Sequence, residues 1–140
     1  MASTRTHPDD VSWTPATELF GDGAFYQGKP VLEVKTLSDR RAEGGGVAHL
    51  LRASPPPGKL IKIIAVALSD EHVFNLSGGR ANKSGKPVSK GGGYTLNPQG
   101  QPHSAMIAEE NISLVVYCGA PDEVSSVEIV DIVPALGDAA

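Results

Sequence analysis

The chain has 140 residues, the size of a single domain able to bury about two-thirds of its unfolded surface around one core. Twelve Lys and Arg against sixteen Asp and Glu leave a formal charge of −4, and the basic residues are scattered, so neither nucleic acid nor a membrane surface is an expected partner. A single cysteine, Cys118, excludes an internal disulfide, and the longest apolar stretches, residues 60–68 and 112–118, are less than half the length of a membrane span.

Residues 1–17 are polar and turn-rich, with Trp13 as their only large apolar anchor, and read as an N-terminal arm. The opening MASTRTHPDD contains no apolar h-region and no small-residue cleavage site, from which a cytoplasmic location is expected. A short segment then leads into a predicted strand at 31–37 (VLEVKTL), followed by 47–53 (VAHLLRA), the two forming an early antiparallel pair. After Pro55, Pro56, Pro57 and Gly58 come 59–68 and, beyond a turn at Ser69 and Asp70, 71–79, ending in a Gly-Gly reversal; together they imply another hairpin.

Residues 80–93 form a polar excursion. They are followed by 94–106, the apolar run 112–118 and a closing strand at 127–133. Glycine and proline make up 27 of the 140 residues and punctuate short β-branched runs, while no stretch longer than ten residues has a capped helical period. The expected architecture is all-β, with residues 18–134 as the domain and 135–140 as a C-terminal tail.

Residues 92–103, GGYTLNPQGQPH, place Gly92, Pro98, Gly100 and His103 in the spacing of the second cupin motif, in which a Pro-Gly turn delivers an imidazole into a barrel mouth. The motif's closing Asn is Ile107 here. Upstream, Gly58, Glu71 and 76-LSGG-79 follow the outline of the first motif, but its two histidines fall at Ala65 and Ala67. With 33-EVKTL-37 and 50-LLRASPPPG-58, the span from about residue 20 to 133 resembles cupins similar to anti-sigma-factor domains and diketone-cleaving dioxygenases. That resemblance implies a single-domain double-stranded β-helix, or jelly-roll barrel, with a homodimer in which the arm around Trp13 contacts the neighbour.

The same resemblance implies a three-histidine, one-glutamate centre for iron, manganese or zinc, since imidazole and carboxylate suit those ions. Alanine offers no donor, so only His103 and Glu71 remain, and no cofactor is required by the residues present. A relocated divalent-metal site would draw on His49, because His72 follows Glu71 in an extended strand and should point the other way. Without metal, His103 and Glu71 in an apolar cavity form a candidate acid–base pair: burial raises the carboxyl pKa and a neighbouring carboxylate favours the imidazolium.

Tyr94, Tyr117, Arg52 and His49 are further candidates for ligand contact, and Cys118 reads as a small core residue. The expected function is small-molecule binding with metal-independent isomerase, lyase or cyclase chemistry on a carbonyl or aromatic metabolite. The alternatives are a non-enzymatic ligand-binding or sensor cupin and a metal-dependent dioxygenase with a rearranged ligand set.

Overall fold

The computed structural model describes residues 2–133, so the expected C-terminal tail lies outside the described residues. The strands are β1 (Thr14–Pro15), β2 (Phe25–Tyr26), β3 (Lys29–Pro30), β4 (Leu32–Asp39), β5 (Val47–Ala53), β6 (Lys59–Val66), β7 (Glu71–Ser77), β8 (Tyr94–Asn97), β9 (Pro102–Ile107), β10 (Asn111–Tyr117) and β11 (Glu123–Asp131). The longest α-helix among the described residues is the single turn Thr17–Phe20.

All pairings are antiparallel. One sheet runs β1-β4-β5-β10-β7-β8, a second β11-β6-β9, and β2 and β3 form a small ribbon. The two larger sheets face each other: Leu32 and Ala53 from the first pack with Ile61, Ile63 and Ile107 from the second into one core. No ladder joins them, so the expected barrel is a jelly-roll sandwich with open edges.

The early pair at 31–37 and 47–53 is present as β4 and β5. The hairpin expected from 59–68 and 71–79 is not. β6 pairs with β9 and β11, whereas β7 pairs with β10 and β8, so residues 67–70 cross from one sheet to the other. The reason is that the backbone groups of this corner bond to other loops rather than to each other. Ala67 exchanges hydrogen bonds with Gly100 and Gln101 at 2.7 and 3.1 Å, and the Asp70 carbonyl accepts from the Cys118 N–H at 2.9 Å.

The predicted run 94–106 is likewise divided, into β8 in one sheet and β9 in the other, by the Pro98–Gly100 turn. Gly100 has φ +86°, which a side chain would strain. Gly78, at φ +69°, lies so close to the Glu110 carbonyl that a Cβ would sit 2.2 Å from it.

Cys118 is exposed rather than a core residue. Tyr117 occupies the inward position, and strand alternation turns the next side chain out. The arm residues Thr14 and Pro15 pair with β4 of the same chain, and the Trp13 ring lies under Arg52 and Lys35, with 4.4 and 5.0 Å between ring centroid and cation.

Candidate functional site

The crossing at residues 67–70 is where three connections meet. The motif turn docks on Ala67 and also donates the Gln99 N–H to the Asp70 carboxylate at 2.9 Å. On the other side the β10–β11 loop docks on Ser69, whose hydroxyl donates to the Ala120 carbonyl at 2.8 Å and accepts from the Gly119 N–H at 3.0 Å. These contacts bring His103, Glu71 and Asp122 to one end of the sandwich.

Within the larger sheet, Glu71 lies between Tyr117 on β10 and Asn97 on β8, its cross-strand partners. In the facing sheet Ala65 lies between Val124 and His103. His103 reaches across the gap: its Nε2 is 2.6 Å from Asp122 Oδ2 and 3.6 Å from Glu71 Oε1, while Asn97 Nδ2 donates to Glu71 Oε1 at 2.7 Å. The imidazole is 20% exposed and the Asp122 side chain 5%, so the pair stands at the edge of an interior space. Asp122 Oδ1 is buried with no hydrogen-bond partner.

That space is a cavity of about 170 Å³. Its wall is mostly apolar, including Leu51, Ala53, Ile63, Ala65, Ile107 and Val115, with His103, Glu71, Asp122 and Tyr117 among the polar groups. The short methyl of Ala65 leaves open the volume that an imidazole at that position would fill. Ala67 is buried beside the motif turn.

The charges perturb one another. The Asp122 hydrogen bond raises the His103 pKa above its ordinary 6.5 despite partial desolvation, and the fields of Asp122 and Glu71 act in the same direction. Burial raises the Glu71 carboxyl, reinforced by the negative charge of Asp122 and opposed by the Asn97 hydrogen bond and His103. Burial, together with nearby Glu71 and Asp122, holds the Tyr117 phenol well above the usual range. The arrangement is an imidazolium flanked by two carboxyl groups, one of them biased toward its neutral form.

The other sequence candidates lie apart from this cluster. His49 faces inward on β5 but lines a different cavity, with Thr14, Val34 and Asp39, and its ring meets Tyr117 edge-on at 5.4 Å. Arg52 bonds to Glu33 at 2.9 Å on the outer face, above Trp13. Tyr94 is exposed, and its hydroxyl is 2.6 Å from His72 Nδ1, the ring that alternation turns away from Glu71. Of the four ligand-contact candidates His49, Arg52, Tyr94 and Tyr117, Tyr117 alone lines the cavity that holds His103.

Asp122 escaped the sequence reading because a Pro-Asp pair in an inter-strand loop carries no motif. Its position between two strands that flank the cavity was the one available indication. With His103 and Glu71 it forms a group whose donor atoms all lie within 4.8 Å of one another, and one imidazole with two carboxylates is a donor set that can hold a divalent ion. His49 is not part of that group.

No family model matches the sequence, and no curated protein matches it. Solved structures do match. The polyketide cyclase RemF from Streptomyces resistomycificus superposes with a TM-score of 0.59 at 18% identity, covering 96% of this chain and 88% of that one. An RmlC-like cupin from Shewanella frigidimarina gives 0.59 at 12% identity over 85% and 93%, and another from Ralstonia eutropha gives 0.58 at 18% over 92% and 80%. Facing antiparallel sheets, the motif turn carrying His103 and these superpositions together identify the fold of the chain as that of the RmlC-like cupins.

Proposed function

We propose that this chain binds a small, mostly apolar carbonyl metabolite in its cavity and moves a proton on it, with His103 and Glu71 as the acid–base pair and Asp122 as a positioning residue. The observation that carries this reading is the contact of one imidazole with carboxylates from two separate segments at the edge of an apolar space. The similarity in fold to a polyketide cyclase is in keeping with it.

The chemistry follows from the protonation states. Asp122 stabilises the imidazolium, which donates a proton to the carbonyl oxygen, while the Glu71 carboxylate accepts the proton from the adjacent carbon. The C–H electron pair enters the enol: return of a proton at another atom completes an isomerisation, departure of a β-substituent with its bonding pair and a proton from the imidazolium completes an elimination, and attack of the enol carbon on a second carbonyl of the same molecule, whose oxygen takes the proton, completes a ring closure. A raised carboxyl pKa makes Glu71 a stronger base than an exposed carboxylate, and the apolar wall strengthens each interaction.

Deuterium exchange at the α-carbon of a panel of aryl ketones and β-diketones, followed by NMR with the full chain, tests this. Exchange above the buffer rate that falls at least about 100-fold in His103→Ala supports the reading. Exchange unaffected by that substitution removes His103 from the chemistry, and tight binding without exchange favours a ligand-binding module.

A second reading rests on the Glu71, His103 and Asp122 donor atoms and on the orphaned Asp122 Oδ1. These three side chains would hold a divalent ion, which would supply Lewis-acid polarisation of the carbonyl. Elemental analysis of the purified protein decides between the readings: stoichiometric iron, manganese or zinc, lost in His103→Ala, favours the second.

A further inference from the structure

The cavity contains a second charged group that the acid–base chemistry leaves idle. Arg80 lines it, and its Nη1 is buried without a hydrogen-bond partner. Among the described residues no carboxylate forms an ion pair with it. The two acids in the wall are already engaged, Asp122 with His103 and Glu71 with Asn97, and Glu71 acts on Arg80 only through its field.

A buried cation with no partner is costly, and a guanidinium cannot escape the cost by deprotonating. Burial does pull its pKa down, which is the same cost seen from the titration side.

The chain around Arg80 is anchored on several sides. Its N–H donates to Ser89 Oγ at 2.9 Å, and its carbonyl accepts from Val88 N–H at 2.9 Å. The next residue, Ala81, donates to Met106 of β9 at 2.9 Å, and Asn111 Nδ2 donates to the preceding Gly79 carbonyl at 3.1 Å. A guanidinium fixed at its base and left unpaired at its tip is preorganised for an anion that comes from elsewhere.

The Arg80 backbone lies beyond Ser77, at the end of β7 remote from Glu71, and its side chain reaches back into the cavity, where the field of Glu71 acts on it. Apolar wall residues such as Ile107 and Val115 line the same cavity.

We infer that Arg80 is the carboxylate clamp of the cavity, so that the bound molecule is an acid with an apolar or aromatic body, its carboxylate on Arg80 and its reacting carbon toward His103. This rests on the proton-transfer reading for what happens at the His103 end. The clamp itself is independent of turnover. Arg80 is a specificity-determining residue that selects carboxylates over neutral analogues of the same shape.

The test compares 3-phenylpropanoate with 3-phenylpropanamide by calorimetry on the full chain at neutral pH. The acid should bind wild-type protein about 10- to 100-fold more tightly than the amide. Arg80→Met should remove that preference while raising the melting temperature of the ligand-free protein, since it replaces an unpaired buried charge by a side chain of similar length; a residue kept for structure would lower it. Arg80→Lys keeps a cation and should retain part of the preference, which guards against misfolding of the first variant.

His103→Ala should keep the preference intact, separating the clamp from the chemistry. Equal affinities for acid and amide, no binding of the acid at millimolar concentration, or an unchanged preference in Arg80→Met overturns the clamp. Loss of α-proton exchange alone overturns only the proposed reaction.

Discussion

His49 and His103 stand on facing sheets, both directed into the sandwich, and their environments push them in opposite directions. His49 is 2% exposed, its Nε2 has no partner, and burial lowers its pKa to about 4. His103 is less buried and touches Asp122 and Glu71, which raise its pKa. A histidine in a β sandwich is therefore biased toward its neutral or its charged form according to whether a carboxylate reaches it, and here loop docking at the β6–β7 corner brings Asp122 to His103.

The largest effect should come from breaking the carboxylate contact. Asp122→Asn should lower α-proton exchange on the order of 100-fold and shift the His103 titration, followed by imidazole NMR, downward. Because the folded-state pKa of His103 is raised, its contribution to stability is complete below about pH 6.5 and is lost as pH rises through the raised value. That loss should vanish in Asp122→Asn, and an unchanged His103 titration would show that Asp122 does not set the charge.

His49 should show the opposite slope. Its folded-state pKa is depressed, so the unfolded chain binds the extra proton between pH 6.5 and about 4. Stability should fall by up to about 3 kcal/mol as pH drops through that window. Denaturant melts of His49→Leu should be flatter there than those of the wild type; parallel curves would mean that other groups carry the acid limb.

The smallest effect is expected on the outer face. Arg52→Ala breaks an ion pair with Glu33 that is partly open to water and uncovers one side of Trp13, so the cost should be about 1 kcal/mol or less, with exchange activity unchanged. A large loss of activity there would give Arg52 a role that its position outside the cavity does not suggest.

Much of the framework was legible along the chain. β-branched runs bounded by Gly and Pro located β4, β5, β7 and β10 to within a few residues, because strand propensity and turn chemistry are local properties. The significance of the Pro98–Gly100 turn, His103, Glu71 and the alanine at 65 came from their resemblance to the two cupin motifs. The β6–β7 connection was misread because a short turn between two strands looks the same whether they pair or part. The difference lies in partners at Gly100, Gln101 and Cys118, distant along the chain.

Local residue order by itself thus determined an antiparallel β domain and a Pro-Gly turn leading to His103, and the resemblance to the cupin motifs added that alanines stand where that family carries two more imidazoles. Tertiary structure alone decided which groups meet. Asp122 lies 19 residues from His103 and touches it, and Arg80, in a stretch that reads as polar and solvated, has a buried and unpaired guanidinium nitrogen. Protonation and charge balance depend on distance and desolvation in three dimensions, and neither is encoded in the spacing of residues along one strand.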